Sequence, residues 1–450
     1  MNLYTKLVSG LLFPLHERLK KHSSVRVMHG MESSQWLSAD ELQALQLNRL
    51  RGFLQRIGSD VPYFKSQFEA LDFDPAAIDS VTDLQRLPLM GKPEIRANFD
   101  ALVSATAGPL EKFSTGGSSG EPLIFYRGKE RVSHDVAAKW RATRWWGVDI
   151  GDPEIVVWGS PIELGAQDRV RWLRDKLLRT QLLSAFEMSN ANMLQFTTCL
   201  RNVRPRMLFG YPSSIALLAE YVLANAYKVD DLGIEVVFVT SERLYDHQRA
   251  LIEEAFGCPV ANGYGGRDAG FIAHECPQGG MHITAEDIIV EIVNEAGEVL
   301  PKGERGEIVI THMATADFPF VRYRTGDVGS LGDGQCSCGR TLPLMGEIDG
   351  RTTDFVRAAD GTVLHGLALI YVLREMPQIR EFKVIQESLT RLKLQLVIDG
   401  NDKPAMEAEI IEQFQRRLGP SLLVDFDYVE KIPREKSGKF RYVVSRLDET

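Results

Sequence analysis

Three short apolar runs, Ile155-Val156-Val157-Trp158, Met207-Leu208-Phe209-Gly210 and Val236-Val237-Phe238-Val239, alternate with helical patterns between residues 130 and 260. Runs this apolar leave neither face for water, so they predict parallel strands covered by helices on both sides. The pattern then places Leu244, Leu251, Ile252, Ala255 and Phe256 on one face of a helix that Gly257 and Pro259 close. The next strand runs into Tyr264-Gly265-Gly266, and in an open α/β sheet ligands bind at the carboxyl ends of strands. Functional residues are expected there.

On either side the texture differs. Residues 1 to 100 read as helical through Leu42, Leu45, Leu47, Leu50 and Leu54, with a break at Pro62-Tyr63-Phe64 and no visible chemistry. After residue 280, alternation predicts strands from His282 to Val293 and from Arg305 to Thr311, an antiparallel β subdomain over 280–345. A second break falls at Gly346 to Arg351, before strands at Phe382–Ile385 and Leu392–Ile398 and a helix over Ala405–Leu418. The expected fold is α/β: a large N-terminal domain over 1–350, with helix-covered sheets and the antiparallel subdomain, and a small C-terminal α+β lid over 351–450. A chain of 450 residues exceeds what one core holds.

A net charge of -9 without a long basic run argues against nucleic acid as a partner. Five cysteines in so long a chain do not make a secreted disulfide framework, and a reducing cytoplasm suits them. The first residues carry Leu3, Leu7, Leu11, Leu12, Leu15 and Leu19 and end in His16-Glu17-Arg18-Leu19-Lys20-Lys21. That stripe is too short to cross a bilayer and lacks a small-residue cleavage site. It reads first as a helix docked on the body, leaving open a peripheral membrane contact and, separately, a homodimer.

Thr115-Gly116-Gly117-Ser118-Ser119-Gly120-Glu121-Pro122 is a loop of glycines and short hydroxyls that suits a polyphosphate, although it lacks the P-loop spacing and lysine. Alone it reads equally well as an ordinary surface loop. Three more segments follow in order: YGGRDAG from Tyr264, YRTGD from Tyr323 and PREKSGK from Pro433. With all four, the chain resembles the adenylate-forming acyl-CoA synthetase superfamily, and most of all its phenylacetate-CoA ligase and CapK-like branch. Leu87-Pro88 with Lys92, Ser241-Glu242-Arg243-Leu244 and Gly350-Arg351-Thr352-Thr353-Asp354-Phe355 extend the resemblance along nearly the whole chain.

The resemblance implies ATP-dependent activation of a carboxylic acid to an acyl-adenylate, with pyrophosphate released and the acyl group then passed to coenzyme A. It implies that Thr115, Gly116, Gly117, Ser118, Ser119 and Gly120 cradle the β- and γ-phosphates. Asp268 would bind Mg²⁺ where the family has glutamate, Tyr264 would flank the adenine, and Gly265 would let the backbone approach it. Asp327 would accept the ribose hydroxyls, and Arg351 would reach the nucleotide from the C-terminal domain. Lys439 would contact the reacting carboxylate and α-phosphate, an ammonium being a compact charge suited to a developing phosphorane. Thr353 departs from the Asp or Lys of many relatives at the hinge. Two other outcomes stay open: transfer to an amine, hydroxyl or carrier, and a non-catalytic nucleotide binder, against which the retained Asp327 and Lys439 argue.

Cys276, His282, Cys336 and Cys338 form a separate signal, three thiols and an imidazole in a glycine-rich setting, the ligand set of a closed structural zinc site. His274 competes as a ligand, and chance burial of small residues is the plain alternative. Trp158, Tyr211-Pro212-Ser213 and Ser241-Glu242 are candidates for the acid pocket or for core packing, and Arg267 for a polar group on the acid or nucleotide. Which acid is activated is not legible.

Overall fold

The structure is a computed structural model. It describes residues 2–115, 123–158, 169–185, 188, 190–350, 355–360, 363–374, 376, 378–398, 403–430, 432 and 443–447. Contacts divide the chain into two units, Met1–Phe113 with Ile124–Gly350, and Ser114–Leu123 with Arg351–Thr450.

In the first, β1 (Glu111–Ser114) pairs with β2 (Ile124–Arg127). A seven-stranded sheet follows from β3 (Glu154–Trp158), β4 (Thr180–Ser184), β5 (Met207–Gly210), β6 (Val236–Thr240), β7 (Val260–Gly266), β8 (Gly270–Glu275) and β9 (Met281–Ile283), in the order β4-β3-β5-β6-β7-β8-β9. The pairings from β4 through β7 are parallel, whereas β8 and β9 add antiparallel. Every residue of β5 and β6 is buried, as continuous apolar runs demand. Helices Asn190–Val203, Pro212–Ala224 and Asp246–Phe256 pack over one apolar cluster with Ile155, Leu208, Val237 and Val239. Helix Lys129–Trp145 contributes to another, through Ala142 with Met207, Val236 and Phe238.

A four-stranded antiparallel sheet is ordered β10 (Ile288–Val293), β11 (Gly306–His312), β12 (Phe320–Leu331) and β13 (Met345–Gly350). The single strand expected from His282 to Val293 is two strands in different sheets. Thr284 to Asp287 interrupts it, and that short stretch collects polar contacts from three helices. The Ser34 hydroxyl donates to Glu286 over 2.8 Å, Gln46 to the Ala285 carbonyl over 2.6 Å, and Arg49 to Asp287 over 2.6 Å. Arg141, wholly buried, pairs with the equally buried Glu286 at 2.6 Å.

The second unit contains the β14 (Phe355–Arg357) and β15 (Val363–His365) pair and a four-stranded sheet of β16 (Ile379–Ser388), β17 (Arg391–Ile398), β18 (Leu423–Tyr428) and β19 (Val443–Ser445), ordered β18-β17-β16-β19. Met406, Ile410, Phe414 and Leu418, one stripe of helix Lys403–Leu418, close its core against Val384, Leu392 and Leu394. Buried Gln386 bonds both the N–H and the carbonyl of Arg357, at 2.8 and 2.6 Å, fastening β14 to β16.

Candidate functional site

Tyr264, in the last turns of β7, donates its hydroxyl to Oδ2 of Asp327 on β12 over 3.0 Å. Asp268, buried in the turn between β7 and β8, accepts at Oδ2 from the Tyr323 hydroxyl over 2.6 Å. Two tyrosine–aspartate bonds thus join the two sheets in opposite senses. Alternation along a strand puts residues 323, 325 and 327 on one face, and Tyr323 and Thr325 are indeed buried while Arg324 and Gly326 are exposed. The Thr325 hydroxyl donates to the Ile308 carbonyl over 2.8 Å and accepts the Asp327 N–H over 3.1 Å, which orients the aspartate. Met90 bridges to Tyr323, so the Leu87-Pro88 segment runs beside the same strand.

The turn carrying Asp268 is held from below. Arg131 donates to the carbonyls of Asp268 and Arg267 at 3.0 and 3.5 Å, while its Nε engages both oxygens of Asp135 at 2.9 and 3.0 Å. Gly270 has φ +84°, and a Cβ there would meet Arg131 Nη2 at 2.8 Å and His312 Nε2 at 2.9 Å. A Cβ at Gly265 would stand 2.1 Å from the Gly270 carbonyl, so the hairpin itself requires that glycine. His134, Asp135 and His312 could bring ligand atoms to one ion. Arg131 already occupies both Asp135 oxygens, and His312 Nδ1 accepts the Ala314 N–H at 3.3 Å, so this group reads as a buried brace.

At the neck of the glycine loop, Thr115 and Leu123 exchange hydrogen bonds: the Thr115 N–H donates to the Leu123 carbonyl and the Leu123 N–H to the Thr115 hydroxyl, both at 2.9 Å. Gly116, Gly117, Ser118, Ser119, Gly120, Arg351, Thr353 and Lys439 lie outside the described residues.

The acid-pocket candidates gather at the carboxyl ends of β3, β5 and β6. The rings of Trp158 and Tyr211 stack at 4.2 Å and 20°, and Glu242 accepts the Ser213 N–H over 3.2 Å. Burial raises the Glu242 carboxyl above its ordinary range, against the opposing pull of Ser213. Ser241 takes φ +71°, a strained conformation for a non-glycine residue at this edge.

Cys276, His282, Cys336 and Cys338 place their ligand atoms within 4.8 Å of one another. Cys276 Sγ lies 3.6 Å from Cys336 Sγ, and Cys338 Sγ lies 3.2 Å from His282 Nε2. A tetrahedron with Zn–S of about 2.3 Å has S···S edges of about 3.8 Å, so the donor set fits zinc. His282 Nδ1 faces the Leu342 carbonyl at 3.3 Å, which leaves Nε2 for the cluster, as a ligating histidine requires. Burial drives the His282 imidazole down to about 4 and pushes the Cys276 thiol up to about 11. Burial also opposes ionisation of Cys338, but the Arg340 N–H and its other neighbours outweigh it and lower that thiol. Gly280 is small of necessity, since a Cβ would come within 2.6 Å of Cys336 Sγ. His274 is no competitor: its ring is buried between Phe271 and Phe238, with centroids 5.4 and 5.9 Å away.

The chain is similar to several known proteins. The family model of the CapK C-terminal domain matches residues 356–446. Protein CapK of Staphylococcus aureus is 24% identical over 451 aligned positions, covering 98% of this chain and 96% of that protein. Phenylacetate-coenzyme A ligase of Thermus thermophilus is 24% identical and covers 86% of each chain. Among solved structures, 2-hydroxyisobutyryl-CoA ligase in complex with 2-HIB-AMP and CoA superposes with a TM-score of 0.65 at 22% identity, over 91% of each chain, which establishes the common fold.

Proposed function

We propose that this chain, a CapK-like and phenylacetate-CoA ligase-like member of the adenylate-forming superfamily, is an ATP-dependent acid-thiol ligase working in two half-reactions. A carboxylate oxygen attacks the α-phosphorus of ATP, the bond to the bridging oxygen breaks, and pyrophosphate leaves. The coenzyme A sulfur then attacks the acyl carbon, loses its proton to solvent, and AMP departs. The observation that carries this reading is the double clasp of Tyr264 with Asp327 and Asp268 with Tyr323, which ties two distant carboxylate-bearing motifs to each other. Phosphoryl chemistry of this kind needs positioning and charge rather than a covalent nucleophile.

In this reading Asp327 accepts the ribose hydroxyls and Tyr264 flanks the adenine beside it. Asp268 is a hard oxygen donor suited to Mg²⁺, which when bound offsets charge on the phosphates. Thr115 and the glycine loop cradle those phosphates, Arg351 reaches the nucleotide, and Lys439 meets the carboxylate and α-phosphate. Trp158, Tyr211 and the weakly acidic Glu242 line the acid's pocket. Cys276, His282, Cys336 and Cys338 hold a structural zinc, and the protein works in the cytoplasm. Acid-dependent exchange of labelled pyrophosphate into ATP, run over a panel of acids, tests the first half-reaction. Lys439→Ala is expected to abolish exchange at an unchanged melting temperature, and near wild-type exchange in that variant would overturn its role.

A second reading keeps the adenylation but gives the acyl or nucleotidyl group to an amine, hydroxyl or carrier. It is favoured by the C-terminal unit, whose matching family model is that of CapK, and by the near end-to-end match to CapK itself. Thioester formed only when coenzyme A is supplied decides for the first reading.

A further inference from the structure

Residues 3–19 are helical throughout: an α-helix over Leu3–Leu7, a wider π turn over Val8–Leu12 and an α-helix over Phe13–Leu19. One side is anchored. Val8 and Phe13 enter a core with Met28, Met31 and Trp140, the Thr5 hydroxyl donates to Asp152 over 2.7 Å, and the Tyr4 hydroxyl donates to the Leu177 carbonyl over 2.9 Å. Glu17, the sole acid between residues 2 and 21, is buried on this side too, bonded by Ser24 and facing His16 and His22.

The other side is not anchored. Leu3, Leu7, Leu11, Leu15 and Leu19 are 83, 46, 57, 52 and 76% exposed. A four-residue step overshoots an α-helical turn by about 40°, so leucines so spaced would wind around a regular helix. The wider turn over Val8–Leu12 takes part of that rotation back, and all five stay in solvent. Lys6, Arg18, Lys20 and Lys21 are exposed with them and make no ion pair among the described residues. Lys21 continues into a cleft of about 870 Å³ lined also by Arg26 and Lys129, whose acids Glu130 and Asp287 are already paired with Arg56 and Arg49. A chain of net charge -9 thus exposes, on this helix and the turn that follows it, five leucines and four cations, the sole acid there being the buried Glu17.

We propose that this face docks the protein on an anionic lipid surface, the helix lying in the plane of the headgroups with its leucines among the acyl chains. Apolar area and cationic flanks together are what such binding requires, since one without the other gives weak, reversible association. A second copy is a poor occupant. A two-fold contact would set Lys6, Arg18, Lys20 and Lys21 of each chain against the same cations of the other.

Cosedimentation of the full chain with vesicles tests this. Vesicles of phosphatidylcholine mixed with phosphatidylglycerol are expected to carry down the protein, and phosphatidylcholine alone or high salt to reduce the bound fraction about 10-fold. The triple variant Leu7→Ser, Leu11→Ser, Leu15→Ser is expected to lose binding by about 10-fold or more. Lys6→Gln with Lys20→Gln and Lys21→Gln should reduce it several-fold, both variants melting like the parent. Should the leucine variant fail to fold, the charge variant alone decides. Parent protein left in the supernatant, variants that bind like the parent, or a dimer in sedimentation velocity that the leucine variant dissociates would each overturn the proposal.

Discussion

Tyr323 is wholly buried and its hydroxyl is the side-chain donor to Asp268 Oδ2 at 2.6 Å. A hydrogen bond to a charged group contributes about 1.5–3 kcal/mol, so Tyr323→Phe is expected to weaken Mg²⁺-dependent pyrophosphate exchange by about 10- to 100-fold. Kinetics at varied magnesium check this; a change confined to the acid's KM would refute it. Asp327→Ala is expected to raise the KM for ATP at least about 10-fold with the melting temperature little changed, measured by the same exchange. Asp268 and Asp327 could be singled out in the sequence because each stands in a motif that the resemblance ties to nucleotide binding. Tyr323 could not, although it opens YRTGD, because its partner lies 55 residues away and nothing local encodes that meeting. The only hint was its four-residue spacing from Asp327, which in a strand means a shared face. Gly265 was legible as special, but its nearest constraint is the Gly270 carbonyl, which only the hairpin geometry reveals.

At the scale of elements, the apolar runs of β3, β5 and β6 were readable because burial on both faces leaves no other pattern. The antiparallel region was readable in type but not in pairing. The reading of 282–293 as one strand passes over the adjacent acids Glu286-Asp287, where the alternation breaks, and β9 and β10 belong to different sheets. The cysteine cluster joins β9 and the end of β8 to the loop after β12. Cys276→Ser is therefore expected to release about one zinc per chain and lower the melting temperature by roughly 5 °C or more, with the KM for ATP unchanged. Metal analysis beside a thermal melt checks both halves. Full metal content in the variant would remove Cys276 from the ligand set.

For the molecule as a whole, buried charge and buried histidine set the vulnerabilities. Arg141→Met strands Glu286 without its cation and is expected to cost about 3–5 kcal/mol, read in urea melts. Burial holds His274 neutral down to about 3 in the folded chain, whereas an unfolded histidine takes its proton near 6.5. The unfolded state therefore binds more protons between those values, and stability falls as pH drops from 6.5 towards 3. At pH 5 the loss from one such histidine is about 2 kcal/mol, and a stability curve flat between pH 7 and 5 would contradict it. The stretch from Thr284 to Asp287 has a further consequence. Ser34 and Gln46 bond to it across 252 and 239 residues of chain. During synthesis those opening helices emerge long before residues 284–287 of the 450-residue chain exist, so Ser34 and Gln46 gain these partners only from well past its midpoint. The seating of the opening helices is thus tied to a four-residue segment far along the chain rather than to the helices alone.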